Sequence, residues 1–309
     1  MKNFADLLIE AIKKKGSPIC VGLDPRLDQL PPYIVEKNKK KYKETREAVA
    51  ESILEFNKGI IDAVHDLVPI IKPQIAFYEL FGYEGVRAFE ETVKYAKEKG
   101  LLVISDAKRN DIGSTSEAYA KSQIGWNSYF SKEKEPVIGA DAVTINAYFG
   151  KDGVKPFLEL CDNDQKGIFV LVRTSNPSAG EVQNLIHENK TIYQMMGYYV
   201  DSWGADLTGE NGYSSVGAVV GATYPKEAKL LREVMPNSYF LVPGYGAQGG
   251  GAEDVKPCFK KDGLGAIINS SRGITFAYQK MDFDDNAYAE ASRLAVEDMK
   301  KDLAGVGVL

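Results

Sequence analysis

The sequence predicts an α/β protein of the (β/α)8 TIM-barrel class, folded as a single domain over residues 1–309. Three observations carry that prediction. Eight short apolar runs recur along the chain, stretches with helical periodicity separate them, and no Pro/Gly/Ser-rich linker divides the chain into halves. Strands alternating with helices pair in parallel, and eight such units in about 250 residues match this barrel. A doubly wound sheet is the alternative arrangement of the same units.

The elements follow in order. MKNFADLLIEAIKKKG spaces Phe4, Leu7, Leu8, Ala11 and Ile12 on one face of an N-terminal helix, too acidic and too short in apolar run for a signal peptide. PICVGL (18–23) is the first strand, followed by a lysine-rich loop at about 25–42 and a helix over 43–66. VPIIK (68–72), LLVIS (101–105), DAVTI (141–145) and GIFVLV (167–172) are the next strands, with helices over 84–99, 115–129 and 153–161 between them. A long excursion at about 174–214, which includes a helix over 190–203, leads to VGAVV (216–220). A helix over 226–234, SYFLV (238–242), a helix over 252–260, GAIIN (265–269) and a last helix over 284–302 complete the series. Runs that are apolar without alternation suit parallel strands covered on both faces.

Composition narrows the function. With 44% hydrophobic and 26% charged residues and a net charge of −5, the chain reads as a soluble protein without the basic stripe of a nucleic-acid partner. No apolar stretch is long enough to span a membrane. Cys20, Cys161 and Cys258 are odd in number and far apart, so they read as buried thiols of a cytoplasmic protein. His65 and His187 are the only histidines and read as structural, which argues against a histidine triad or a histidine-rich metal site. No thiamine, flavin or Walker-type motif is evident, so the expectation is no cofactor and no metal.

In a barrel the C-terminal ends of the strands converge on one mouth. Here those ends read Asp24, Lys72, Asp106 with Lys108, Asn146, Thr174 with Ser175, Thr223, then PGYGAQGGG and SSRG. In DAKRNDI (106–112), extended geometry turns Asp106 and Lys108 to one side, and Asp111 follows at the turn, where it can equally cap the next helix. A lysine among carboxylates stays protonated, which suits a general acid and not a Schiff-base nucleophile. Gly244, Gly246 and Gly249 fit G-x-G-x-x-G but follow the seventh strand, where barrels build a phosphate site with the loop after the eighth. Arg272 in that last loop can grip a phosphate bidentately.

DAKRNDIGST resembles the third-strand signature of the orotidine 5'-monophosphate decarboxylase family, and ICVGLDP, RTSNPSA, PGYGAQGG and NSSRG fall in that family's order. The resemblance runs from about residue 18 to 280 and looks like the longer bacterial branch. It implies decarboxylation of orotidine 5'-monophosphate to UMP, the last step of de novo pyrimidine nucleotide synthesis, without a cofactor. It further implies that Lys108 protonates C6, that Asp106 faces the leaving CO2, that Asp24 holds a ribose hydroxyl, and that Lys72 links ribose to the carboxylate end. Ser175 would bond the pyrimidine, and Gln248 with Arg272 the phosphate. Asp111 and Thr115 would reach into the neighbouring subunit's site of a homodimer with shared active sites. Ser271 departs from the pattern, since much of the family has glycine there. Two other readings use the same features: a metal-dependent sugar-phosphate decarboxylase or aldolase on the same barrel, and a non-catalytic nucleotide-phosphate binding protein.

Overall fold

Each apolar run buries both of its faces, and closing eight such strands into a ring leaves no strand edge unpaired. The structure, a computed structural model, describes residues 2–130, 133–246, 249–281 and 283–308. The barrel strands are β1 (Ile19–Leu23), β2 (Ile70–Pro73), β3 (Leu102–Arg109), β4 (Ala142–Ile145), β5 (Gly167–Arg173), β6 (Ser214–Val220), β7 (Ser238–Val242) and β8 (Ala266–Ser270). They pair in parallel in chain order, and β1 closes on β8 through Ile19 with Ile268, Cys20 with Asn269 and Val21 with Ser270. All eight strands stand where the apolar runs predict them.

Strand periodicity sorts the side chains into two layers. Cys20, Ile70, Ile104, Phe169, Leu241 and Ile267 point inward and form a closed inner cluster. Their neighbours Val21, Ile71, Val103, Val170 and Ile268 point outward to the helices. The N-terminal helix Phe4–Lys15 plugs the floor: Phe4, Leu8, Ile9 and Ile12 join the inner cluster, and Phe4 meets Phe169 edge-on at 6.0 Å. Gly167 permits that approach, because a Cβ there would stand 2.2 Å from the Phe4 ring. Asp6 then ties down the segment before β6, accepting from the Glu210 and Asn211 amides at 2.9 and 2.8 Å. The helix therefore covers the floor of the barrel, opposite the mouth where the strand C-terminal ends converge.

The barrel helices are α1 (Arg46–Val64), α2 (Gly82–Glu98), α3 (Gly113–Ile124), α4 (Lys151–Asn163), α5 (Ile192–Gly204), α6 (Pro225–Val234), α7 (Ala252–Val255) and α8 (Tyr288–Gly305). α1 starts at 46 because Thr45 caps it, its hydroxyl accepting from the Ala48 amide at 3.3 Å. α7 stops early and continues as a 3-10 turn, Lys256–Cys258, where Pro257 lacks the amide that an α-helix needs. The lysine-rich stretch 25–42 carries a helix, Pro32–Tyr42, which buries Ile34 and Asn38 and exposes its lysines. The excursion after β5 holds a short helix, Gly180–Gln183, and a two-stranded hairpin at Ile186–His187 and Lys190–Thr191. All three cysteines are free and buried, and His65 ends α1 with its ring against the Asp62 carbonyl, a structural place.

Candidate active site

The site grows from an irregularity in β3. Its pairing with β4 slips between Ser105 and Arg109, and Lys108 sits at φ 47°, in the left-handed region. A non-glycine residue there stores on the order of 1–3 kcal/mol, which the surroundings must hold in place. Bulges of this kind re-aim a side chain at the rim of a barrel. Here Thr144 of β4 holds it, its hydroxyl accepting from the Lys108 amide at 3.0 Å and donating to Asp106 Oδ1 at 2.8 Å.

Asp106 is the hub. Lys72 Nζ donates to its Oδ2 at 2.5 Å, and Lys108 Nζ donates to its Oδ1 at 2.6 Å. Burial is the largest influence on Asp106 and disfavours its charge, but the two ammonium groups together outweigh it and hold the carboxyl far below its usual range. Burial likewise works against the Lys72 ammonium, and Asp106 and Asp24 reverse the sign, so that this lysine is held above the ordinary range. Lys108 differs from Lys72 in exposure: its side chain is 46% exposed, against 6% for Lys72. One ammonium is built in, and the other faces open space.

That space is a cavity of about 510 Å³, lined by Lys72, Asp106, Lys108 and Thr144 on one wall and by Thr174, Ser175, Asn176 and Gln183 on another. Leu171, Val219, Leu241 and Pro243 supply an apolar side. A flat ring fits against such a wall, with polar contacts at its edges. Of the residues expected from sequence, Lys72, Asp106, Lys108 and Ser175 meet here. Asp24, just past β1, has a buried Oδ1 without a partner among the described residues and lies near enough to act on Lys72. Arg272 opens the short helix Arg272–Thr275 after β8 with an exposed side chain. Gln248 lies outside the described residues.

Among the described residues, Asp111 and Thr115 are not joined to this cluster. Asp111 Oδ1 accepts from the adjacent Ile112 amide at 2.8 Å, and Thr115 is exposed on α3. The site also holds groups that the sequence did not single out. Thr144 is one polar residue inside DAVTI, and Gln183 lies nine residues from the Thr174 that it binds. Thr144 carried a signal in its inward strand parity. Gln183 carried none, because its contact depends on how the excursion folds back.

The model of the orotidine 5'-phosphate decarboxylase / HUMPS family matches residues 17–281, which includes every strand described above. The chain belongs to this family. Among its relatives, a Rhodopirellula baltica protein named orotidine 5'-phosphate decarboxylase is 45% identical over 309 residues, covering 99% of this chain and 100% of that protein. A Caldicellulosiruptor bescii protein of the same name is 42% identical over 303 residues, 98% of each chain. Among solved structures, the Leishmania donovani OMP decarboxylase superposes with a TM-score of 0.71 at 31% identity, over 97% of this chain and 99% of that one. In this chain the D-x-K-x-x-D stretch places Asp106 and Lys108 at the end of β3 and Asp111 just past it.

Proposed function

We propose that the chain decarboxylates orotidine 5'-monophosphate to UMP with its own side chains and no cofactor. The observation that carries the chemistry is Asp106 held between two ammonium groups at 2.5 and 2.6 Å, one of them open to the cavity. Loss of CO2 from C6 of the pyrimidine leaves an electron pair in the ring plane with no conjugated acceptor. The reaction therefore needs positive charge and a proton at that carbon. Lys108 supplies both: as the C6–carboxylate bond breaks, its ammonium proton passes to C6, and CO2 leaves beside Asp106. Lys72 stays charged and fixes the Asp106 carboxylate. With both oxygens of Asp106 engaged by cations, the surroundings repel a divalent metal, which weighs against sugar-phosphate chemistry through a metal-bound enediolate.

Asp24 serves the ribose and Ser175 the pyrimidine edge, and Arg272 with Gln248 serves the phosphate. Asp111 and Thr115 act across a homodimer interface. In support, the apolar side chains of Ile112, next to Asp111 in the chain, and of Tyr148 and Phe149 are exposed. The Asp111 backbone carbonyl packs close to Gly153 beside Phe149. No helix among the described residues is long and apolar enough to cross a membrane, and a place in the cytoplasm goes with a nucleotide-synthesis enzyme. The test follows the loss of orotidine 5'-monophosphate absorbance with and without EDTA. Equal turnover in both is expected. No turnover, or turnover that EDTA abolishes, would overturn the reading.

A further inference from the structure

The left-handed Lys108 is followed by a second cation, and the two are held from different sides of β3. Lys108 faces the cavity, where Thr144 binds its amide and Asp106 its ammonium. Arg109 leaves β3 toward the outer helices. Its guanidinium lies 5.3 Å from the centre of the Tyr119 ring of α3, and its Nη2 donates to Glu79 at 2.8 Å. Glu79 ends the short helix Ala76–Glu79, which follows the strand that carries Lys72. Backbone bonds join the same elements: the Ile75 amide donates to the Asp106 carbonyl at 3.3 Å, and the Asn146 amide donates to the Arg109 carbonyl at 3.0 Å.

The Arg109 guanidinium depends on Glu79. Its side chain is only 21% exposed, and its Nε is buried without a partner among the described residues. Its other hydrogen bond there, from Nη1 to the Ala107 carbonyl, is long at 3.5 Å. A cation so placed that loses its carboxylate turns out to water, because a half-buried donor left unpaired is costly. Residue 109 then swings, and the peptide that it shares with Lys108 swings with it. Lys108 stands at φ 47°, a conformation that persists only while its surroundings hold it, so loosening on the outer side lets it relax toward the extended region and carries its ammonium off its mark. We propose that Glu79 and Arg109 are positioning residues for Lys108, an ion pair outside the barrel that keeps the proton donor in its strained conformation inside it. The inference rests on the reading of Lys108 as that donor.

Glu79→Ala, Arg109→Ala and the double variant test this in the full chain. Three quantities are measured on each: kcat for orotidine 5'-monophosphate, affinity for UMP, and hydrogen exchange at the Lys108 amide. An ion pair this exposed adds little to global stability, so all three variants are expected to fold. Each single variant should lower kcat about three- to tenfold by emptying the competent conformation, with UMP affinity within about twofold of wild type. The Lys108 amide should exchange faster by a similar factor, as its bond to Thr144 loosens. Because the two residues act through one contact, the double variant should be no worse than the worse single variant. A purely structural role would lower UMP affinity along with kcat. That pattern, losses that multiply in the double variant, or unaltered kcat and amide exchange in both single variants would overturn the inference. Amide exchange is read without turnover, so an inactive wild type would strike the assigned function while exchange still decides whether the pair holds Lys108.

Discussion

The two sides of the barrel mouth are built differently. Around β2, β3 and β4, the side chains of Lys72, Asp106, Lys108 and Thr144 and the Lys108 amide interlock through four hydrogen bonds within the free chain. Around β8 and β1, Arg272 is exposed and the Asp24 Oδ1 has no partner among the described residues. On the proposed function the first of these is the reacting side, organised before any ligand arrives, which is where electrostatic stabilisation gains most from fixed geometry. The remote side is left open, and binding energy gathered there from a non-reacting group can be used to close the site.

Substitutions on the two sides should therefore act on different kinetic constants. Lys108→Ala is expected to have the largest effect, lowering kcat by about a thousandfold or more while UMP affinity in a binding titration stays near wild type, since positioned proton donors contribute roughly 10²–10⁴-fold. Activity within tenfold of wild type would remove Lys108 as the donor. Arg272→Ala acts on the open side. It should lower kcat/KM for the nucleotide by about 2 to 5 kcal/mol and leave a phosphate-free nucleoside substrate almost unaffected. Equal losses on both substrates would show that Arg272 does not meet the phosphate. Thr144→Val should be smaller, about 1.5 to 3 kcal/mol for a hydrogen bond to a charged group, and should appear in kcat with little change in KM. A change in KM alone would place Thr144 on the binding side of the comparison.

The same division governed what could be read from the sequence. The eight strands were legible because apolar runs bounded by turns have little else to become, and Asp106 with Lys108 because residues two apart on a strand share a side. The left-handed φ of Lys108 was not legible, since it arises from the slip against β4 and from the Thr144 hydroxyl below it. The helix Pro32–Tyr42 was hidden for a different reason. Its sequence, PYIVEKNKKKY, is mostly polar, and it is held by a narrow seam at Ile34 and Asn38, with Asn38 Nδ2 donating to Glu55 of α1 at 3.1 Å. α7 was overestimated because apolar periodicity continued past Pro257 while the backbone hydrogen bonds could not. Gln183 shows the general limit: a residue in a polar excursion gains its role from chain reversal, which periodicity does not encode.

One contrast remains within the reacting side, where three charges interlock and the fourth, Asp111, turns to its own backbone. A site completed by a second copy would explain this, and subunit mixing tests it most directly. Lys108→Ala and Asp111→Ala enzymes, each nearly inactive alone, are combined under conditions in which subunit exchange is verified with distinguishable tags. If Asp111 acts across the interface, each mixed dimer has one doubly altered site and one intact site. About half of the dimers are mixed, so activity should return to about a quarter of wild type. If Asp111 serves its own chain, every site keeps one lesion, and no recovery despite verified exchange would contradict the shared site.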